Sequence, residues 1–428
     1  MNHRVIVAAA ALLAAPAGVR AAAAQDDALL ERARRIHAAS PLIDGHNDLP
    51  WEIREKAQGD ISVMNPDGPL PQQHTDIPRL GQGGVGGVFW AAYVPVERIA
   101  EGGSAAFALA QIGLIQRITE QSPALETALT ADDVVRIHGS GRIASLIGIE
   151  GGHAIENSLD VLRQFYLLGV RYMTLTHSST IDWADAATDS ARHGGLTRFG
   201  EEVVREMNRL GMMVDLSHVS PETMVDAIRV SEAPVIFSHS SARALAEHPR
   251  NVPDDVLRLL KDNGGVVMIN FYSGFVEPTG AQMMRSMFDV QRRLREQYPN
   301  DPEAARQAYA QWRRDNPVPR GTAGTLADHI DHVVRVAGID HVGLGSDYDG
   351  VTTLPEGMED VSRFPWLTAE LLRRGYSEAD VAKVLGGNVL RVMRQAEATA
   401  ARLQGERGPS QAVIDVMDGR LVGTAGNR

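Results

Sequence analysis

The sequence predicts a (β/α)8 TIM-like barrel with insertions in its loops. Three observations carry this: eight short apolar runs of strand character, an amphipathic helical pattern after most of them, and acidic or imidazole side chains where the runs end. That last position is where such barrels keep their chemistry. The strand runs are Pro41–Asp44, Gly87–Tyr93, Ile143–Glu150, Val170–His177, Met212–His218, Pro234–His239, Gly265–Tyr272 and His341–Asp347. Helical spacing follows at Ser158–Leu168, Arg198–Leu210, Glu222–Val230, Asp254–Asp262, Leu326–Ala337 and Ser377–Ala396. Ser220 followed by Pro221 reads as a helix start with the serine as N-cap, which fixes His218 on the loop side of its strand. Asn65–Gly86 and Phe275–Gly324 are long for barrel connections, and the second carries helical patterns at Met283–Tyr298 and Glu303–Arg314. Both are expected as insertions over the active-site or oligomer face.

Residues 1–24 read as a secretory signal: Arg4, an apolar stretch from Val5 to Leu13, then the small residues Ala22, Ala23 and Ala24 before Gln25. The apolar stretch is short for a membrane span and Pro16 follows it, so an exported chain, periplasmic or secreted, without a stable membrane anchor is expected. Residues 25–428 are expected to form a single domain with a C-terminal extension after about residue 400, and 44% hydrophobic and 22% charged residues are ordinary globular composition. With no cysteine, neither a disulfide framework nor a thiolate ligand is available despite export. The formal charge is −12, and loss of Arg4 and Arg20 with the leader takes it to −14. Without a basic run to track phosphates, nucleic acid is not expected as a partner.

Four separated segments deliver metal-binding side chains: His46 and Asp48 in IDGHNDLPW, Glu150 in LIGIEGGH, His218 in MVDLSHVS and His239 in VIFSHSSA. Three imidazoles and two carboxylates, one free to bridge, suit a pair of divalent ions such as Zn²⁺ and point to a two-metal hydrolase. The bland alternative for any one of them is a hydrogen-bonded core residue. Recurrence at one geometric position argues against it. His329 and His332 lie three apart beside Asp328 and Asp331, but within TLADHIDHVVRVAG they are expected on the solvated face of an amphipathic helix. His37, His74, His138, His193, His248 and His341 have no ligand-spaced partner in a strand context. Lys56, Lys261 and Lys383, the only lysines, all lie away from strand ends. Schiff-base chemistry and a carboxylated-lysine bridge are therefore set aside, leaving Glu150 as the candidate bridge.

The strings IDGHNDLPW, GIEGGHAI, MTLTHSS, DLSHVS, FSHSSARAL, HPRNVPDDV, NFY, HVGLGSDYDG and GGNVLRV occur in this order from about Ala38 to Val392. The set resembles the membrane (renal-type) dipeptidases, binuclear zinc peptidases of the amidohydrolase group. That resemblance implies two Zn²⁺ ions per chain: His46 and Asp48 on the first, His218 and His239 on the second, and Glu150 bridging. It also implies His177 as a substrate-polarising residue, Arg250 as the grip on the substrate carboxylate, and Asp347 as the acid ending the last strand. The chain lacks the cysteines and the lipid-anchor signal of animal members, so disulfide-linked subunits and membrane attachment do not carry over.

The expected reaction is hydrolysis of dipeptides by hydroxide shared between the two ions, with His177 and one ion stabilising the tetrahedral oxygen. Asp347 is expected to shuttle the proton, with a further metal ligand as its alternative role. Partners are expected to be dipeptides and a second copy in a homodimer. Asp44 is a candidate support for the His46 imidazole. His153, Asp182, Asp185 and Asp349 read as loop-structuring residues, while Trp51 and Tyr272 are candidates for the pocket wall. Another binuclear amidohydrolase acting on β-lactam-like, N-acyl amino acid or lactone substrates is the second reading, and Arg250 discriminates against substrates without a free carboxylate. A non-catalytic barrel is the third, disfavoured by the complete ligand set.

Overall fold

The computed structural model describes residues 17–299 and 301–419. The apolar part of the leader, Val5–Leu13, and the tail through Asn427 and Arg428 lie outside the described residues. Among the described residues there are nine parallel strands: β1 (Leu42–Asn47), β2 (Val85–Tyr93), β3 (Leu125–Thr127), β4 (Ile143–Glu150), β5 (Val170–Thr174), β6 (Met213–Asp215), β7 (Ile236–Ser240), β8 (Val266–Ile269) and β9 (Val342–Leu344). Eight close into a barrel, because β1 pairs with both β2 and β9 and β2 pairs directly with β4. The eight strand runs of the sequence are these eight.

The ninth, β3, is outside the prediction. It pairs Leu125 with Ile143 and Thr127 with Ser145, alongside the first half of β4, and β5 takes over that edge from Ile147 onward. Three residues containing one apolar side chain carry no periodic signal, so its pairing is a tertiary effect.

Strands covered on both faces read as nearly continuous apolar runs, and every residue of β1, β4, β6, β7, β8 and β9 is buried. Gly148 in β4 is required by packing, since a Cβ there would lie 2.0 Å from the ring of Tyr172 on β5. The outer helices start and stop as their caps dictate. Thr197 accepts from Gly200 N at the head of Arg198–Leu210, which ends in Gly211 at φ 84°. Ser220 caps Pro221–Val230, with the proline in the first turn. The expected final helix is divided: Glu378–Ala382, a π-turn over Lys383–Gly387, and Asn388–Glu406. No described helix is long and apolar enough to cross a membrane.

One expectation is corrected here. His329 and His332 do lie on a helix, Ala323–Val336, but on its buried face rather than a solvated one. His329 Nδ1 accepts from Ala242 N at 3.0 Å and its Nε2 donates to Val276 O at 2.9 Å, while His332 Nε2 lies 2.7 Å from Asp254 Oδ1. His329 shares the stripe of Leu326, Ile330 and Val333, and its two hydrogen bonds make that burial tolerable.

Both long insertions reach the C-terminal end of the barrel. His74 of the first hydrogen-bonds Asp349 beyond β9. The helix Pro278–Gln297 of the second places Met284 Sδ 3.2 Å from Tyr272 Oη just past β8.

Candidate active site

A cleft of about 470 Å³ opens at that end, lined by Asp48, Glu150, His177, His218, Arg250 and Asp347, with Trp51, Tyr93, Tyr272 and Phe275 as aromatic walls. His46 and His239 lie beneath it, their rings 3.9 Å apart and fully buried. The structure thus brings together all eight site residues expected from the sequence, from seven separate segments.

Each is placed by local structure. His46 belongs to β1 itself. Asp48 occupies the N-cap of helix Leu49–Ala57 without capping it, which leaves its carboxylate for the cleft, 3.2 Å from His46 Nε2. Glu150 ends β4 and stands between two donor groups. Its Oε2 faces His46 Nε2 at 3.6 Å, and its Oε1 faces His218 Nε2 at 3.0 Å, His239 Nε2 at 3.4 Å and His177 Nε2 at 3.8 Å. His218 and Asp347 adopt left-handed backbone, at φ 72° and 63°, strain that a functional site retains. Gly350 makes room for both acids, because a Cβ there would lie 2.3 Å from Asp48 Oδ2 and 2.5 Å from Asp347 Oδ1.

The donor chemistry fits divalent cations. His46–Asp48–Glu150 and Glu150–His218–His239 each present three ligand atoms within 4.8 Å of one another, sharing Glu150, and His46–His239–Asp347 forms a third such group. His46 Nε2 is buried among carboxylate oxygens without a hydrogen-bond partner. Its tautomer follows from the other nitrogen: Tyr172 Oη donates to Gly45 O at 3.1 Å, so it accepts from His46 Nδ1–H at 2.8 Å and the lone pair is on Nε2. His239 obeys the same logic. Ser238 Oγ donates to Asp215 Oδ2 at 2.6 Å and accepts from His239 Nδ1–H at 2.8 Å, turning the Nε2 lone pair toward Glu150.

Electrostatics point the same way. Burial alone would raise Glu150, but the imidazoles gathered about its carboxylate, those of His46 and His177 first and then those of His218 and His239, hold it well below the usual carboxylate range. Burial above all, with the charges of Asp48 and Glu150, pushes Asp347 up to about 8, against the opposing pull of His46. Three buried acids this close call for positive charge.

Arg250 is 3% exposed. Its guanidinium lies over the Phe275 ring, 5.3 Å from the centroid, and its side-chain hydrogen bonds are long, Nη1 to Ser240 Oγ at 3.5 Å and Nη2 to His239 O at 3.4 Å, while its Nε has no hydrogen-bond partner. Burial lowers its pKa to about 10, and among the described residues no carboxylate pairs with it.

Asp44 does not support the His46 imidazole. It accepts from Ser346 N at 2.7 Å and Ser346 Oγ at 2.6 Å, which fixes the residue before Asp347. Asp185 takes backbone N–H groups from Arg192, His193, Gly194 and Gly195, a loop-structuring role as expected. Asp182 accepts from Asn157 Nδ2 at 2.9 Å, and His153 Nε2 lies 3.2 Å from Pro95 O.

Sequence reasoning missed Tyr172, Asp215 and Asn270. Asp215 also accepts from Thr174 Oγ1 at 2.5 Å and from the N–H groups of Ser217 and Ser238, and Asn270 Nδ2 donates to Asp347 Oδ2 at 2.7 Å. A polar residue inside an apolar strand run, as in MVDL and MINF, is the signal that could have found the last two.

The family model described as Membrane dipeptidase (Peptidase family M19) matches residues 30–407. Dipeptidase verJ of Clonostachys rogersoniana is 42% identical over 405 residues, covering 92% of this chain and 94% of its own. Dipeptidase 3 of Mus musculus is 40% identical over 389 residues, covering 89% of this chain and 69% of its own. Among solved structures, the probable dipeptidase PvdM of Pseudomonas aeruginosa superposes with a TM-score of 0.75 at 26% identity, covering 87% of this chain and all of that one. A metallo peptidase of Rhodobacter sphaeroides, solved with a phosphinate mimic of the dipeptide L-Ala-D-Ala, gives 0.67 at 25% identity, covering 83% of this chain and 99% of that one. With a His, Asp and Glu cluster that could hold metal ions at the mouth of a closed barrel, and a family match over most of its length, this chain belongs to the membrane dipeptidase family of metal-dependent hydrolases.

Proposed function

We propose that this metallo-dipeptidase works with two zinc ions, His46 and Asp48 holding one, His218 and His239 the other, and Glu150 bridging them. The observation that carries the reading is Glu150, whose two oxygens each face a separate set of donors. Ions held there would supply Lewis-acid polarisation of the scissile carbonyl and a water ionised near neutral pH.

The remaining work falls to the chain. Arg250 receives the free carboxylate of the dipeptide. A buried guanidinium without an ion pair among the described residues gains from a bidentate anionic partner, and this selects substrates ending in a free carboxylate. His177, at the cleft wall, donates to the oxygen that becomes negative as the carbonyl carbon turns tetrahedral, support worth roughly 3 to 4 kcal/mol at comparable sites. Asp347, held by Asn270, takes the proton of the attacking water and returns it to the leaving amine. The aromatic walls enclose a volume suited to a small peptide, in keeping with the dipeptide mimic bound by the Rhodobacter relative. The proposal extends to export after loss of residues 1–24, a single catalytic domain over residues 25–428, and a homodimer.

Elemental analysis combined with a panel of dipeptides, N-acyl amino acids and carboxyl-amidated dipeptides tests the reading. Two zinc ions per chain and hydrolysis confined to free dipeptides are expected. A preference for amidated or carboxylate-free substrates would contradict it.

A further inference from the structure

The segment between helix Leu49–Ala57 and β2 contains no strand, yet it is firmly built. Asp76 caps helix Ile77–Gln82 by accepting from Arg79 N at 2.8 Å, and the Arg79 guanidinium donates to Leu70 O and Gln73 O, both at 2.9 Å. This fold presents His74 and Thr75 to the barrel mouth.

His74 grips the chain beyond β9 in both directions. His74 N donates to Asp349 Oδ1 at 2.7 Å, and Asp349 N donates to His74 Nδ1 at 3.0 Å. Val361 N adds a bond to His74 O at 3.1 Å. Thr75 holds the end of β1: its Oγ1 accepts from Asn47 Nδ2 at 2.8 Å, and Asn47 sits between His46 and Asp48. The two gripped segments are joined to each other, since Asp347 N donates to His46 O at 3.1 Å and Asp48 N to Tyr348 O at 2.9 Å. The β9 turn needs such a hold, because Asp347 and Asp349 both occupy left-handed backbone, at φ 63° and 68°. Such backbone is strained for a residue with a side chain and persists only when its surroundings over-determine it.

We propose that His74 is a positioning residue: its ring Nδ1, with Thr75 beside it, clamps the two strand ends that carry His46, Asp48 and Asp347 and so sets the rate of turnover rather than the affinity for dipeptide. This rests on the catalytic reading of Asp347 given above. The role requires an acceptor at Nδ1, so the ring is neutral with its proton on Nε2, as its partial burial favours. No substrate contact is involved, and His74 is absent from the cleft wall.

The test compares His74→Asn, whose Oδ1 can accept from Asp349 N–H, with His74→Leu, which cannot. Leucine is expected to lower kcat roughly 10- to 100-fold, the effect of a small misplacement of reacting groups, with KM and metal content unchanged. Asparagine is expected to restore most of that loss. Amide exchange of the 347–350 segment should quicken in His74→Leu and stay protected in His74→Asn. Equal kcat in the two variants, whether both low or both normal, would overturn the clamp. Thr75→Val, nearly isosteric, is the second variant should leucine prevent folding: a smaller fall in kcat at constant KM is expected, and a wild-type kcat would overturn the proposal. Asp347→Asn separates the two readings, since wild-type turnover in that variant would sink the catalytic reading and leave the exchange result standing.

Discussion

Two sets of buried histidines distinguish the barrel mouth from the outer helix Ala323–Val336. His329 is as fully buried as His46. The difference is valence. Both ring nitrogens of His329 are satisfied by backbone, one accepting from Ala242 and one donating to Val276. His46 spends Nδ1 on Tyr172 and leaves Nε2 facing Asp48 and Glu150 with no hydrogen-bond partner, while His218 Nε2 and His239 Nε2 face each other at 2.9 Å beside Glu150 Oε1. Burial therefore does not mark a ligand. An unsatisfied lone pair aimed at carboxylates does, because leaving it so costs free energy that a cation returns.

The comparison can be broken or sharpened by substitution. Within the mouth, Asp347→Asn should lower kcat by roughly 10² to 10⁴ while metal content and KM stay constant, as removal of a positioned acid–base group does. Loss of an ion in that variant, with rate restored by added zinc, would move Asp347 into the ligand set. Arg250→Ala should raise KM for free dipeptides by the equivalent of roughly 2 to 5 kcal/mol, and much less for carboxyl-amidated ones. Equal losses on both would show that the unpaired guanidinium serves some other purpose. Tyr172→Phe removes the partner that fixes the His46 tautomer, so zinc affinity measured by chelator competition should fall roughly 10- to 100-fold, with near-normal turnover at saturating zinc.

The smallest effect on activity belongs to the outer helix. Burial holds His329 down to about 4 against the opposing backbone bond to Val276, so the folded state stays neutral where the unfolded chain takes up a proton. Stability from this residue is complete above about pH 6.5 and declines as pH falls toward 4, by up to roughly 3 kcal/mol at the lower limit. His329→Gln keeps a donor and an acceptor but does not titrate. It should flatten part of the fall in Tm between pH 6.5 and 4 and leave kcat/KM at neutral pH unchanged. An unaltered Tm profile would count against the buried neutral imidazole.

The same contrast explains what was legible in the sequence. Strand ends are legible because a parallel strand buried on both faces reads as an apolar run, so a His, Asp or Glu closing it stands out, as Glu150 does after LIGI. β3 was illegible because its pairing depends on the gap that β5 leaves beside β4. His329 shares the apolar stripe of Leu326, Ile330 and Val333, a placement that a polar ring beside Asp328 and Asp331 conceals in the sequence. The supports of the proposed ligands are hidden for a further reason. Tyr172 reaches His46 across the barrel, Asp215 serves His239 through Ser238, and His74 meets Asp349 from 275 positions away. Such contacts exist only once the barrel has closed.

The central claim is that Glu150 joins two ions that neither outer-helix histidine helps to hold. Elemental analysis of wild type, Glu150→Gln and His329→Gln, with turnover measured on the same samples, tests it most directly. The account predicts two zinc ions per chain in wild type and in His329→Gln, and fewer than two, with hydrolysis abolished, in Glu150→Gln. Two ions per chain and near-normal turnover in Glu150→Gln would contradict it.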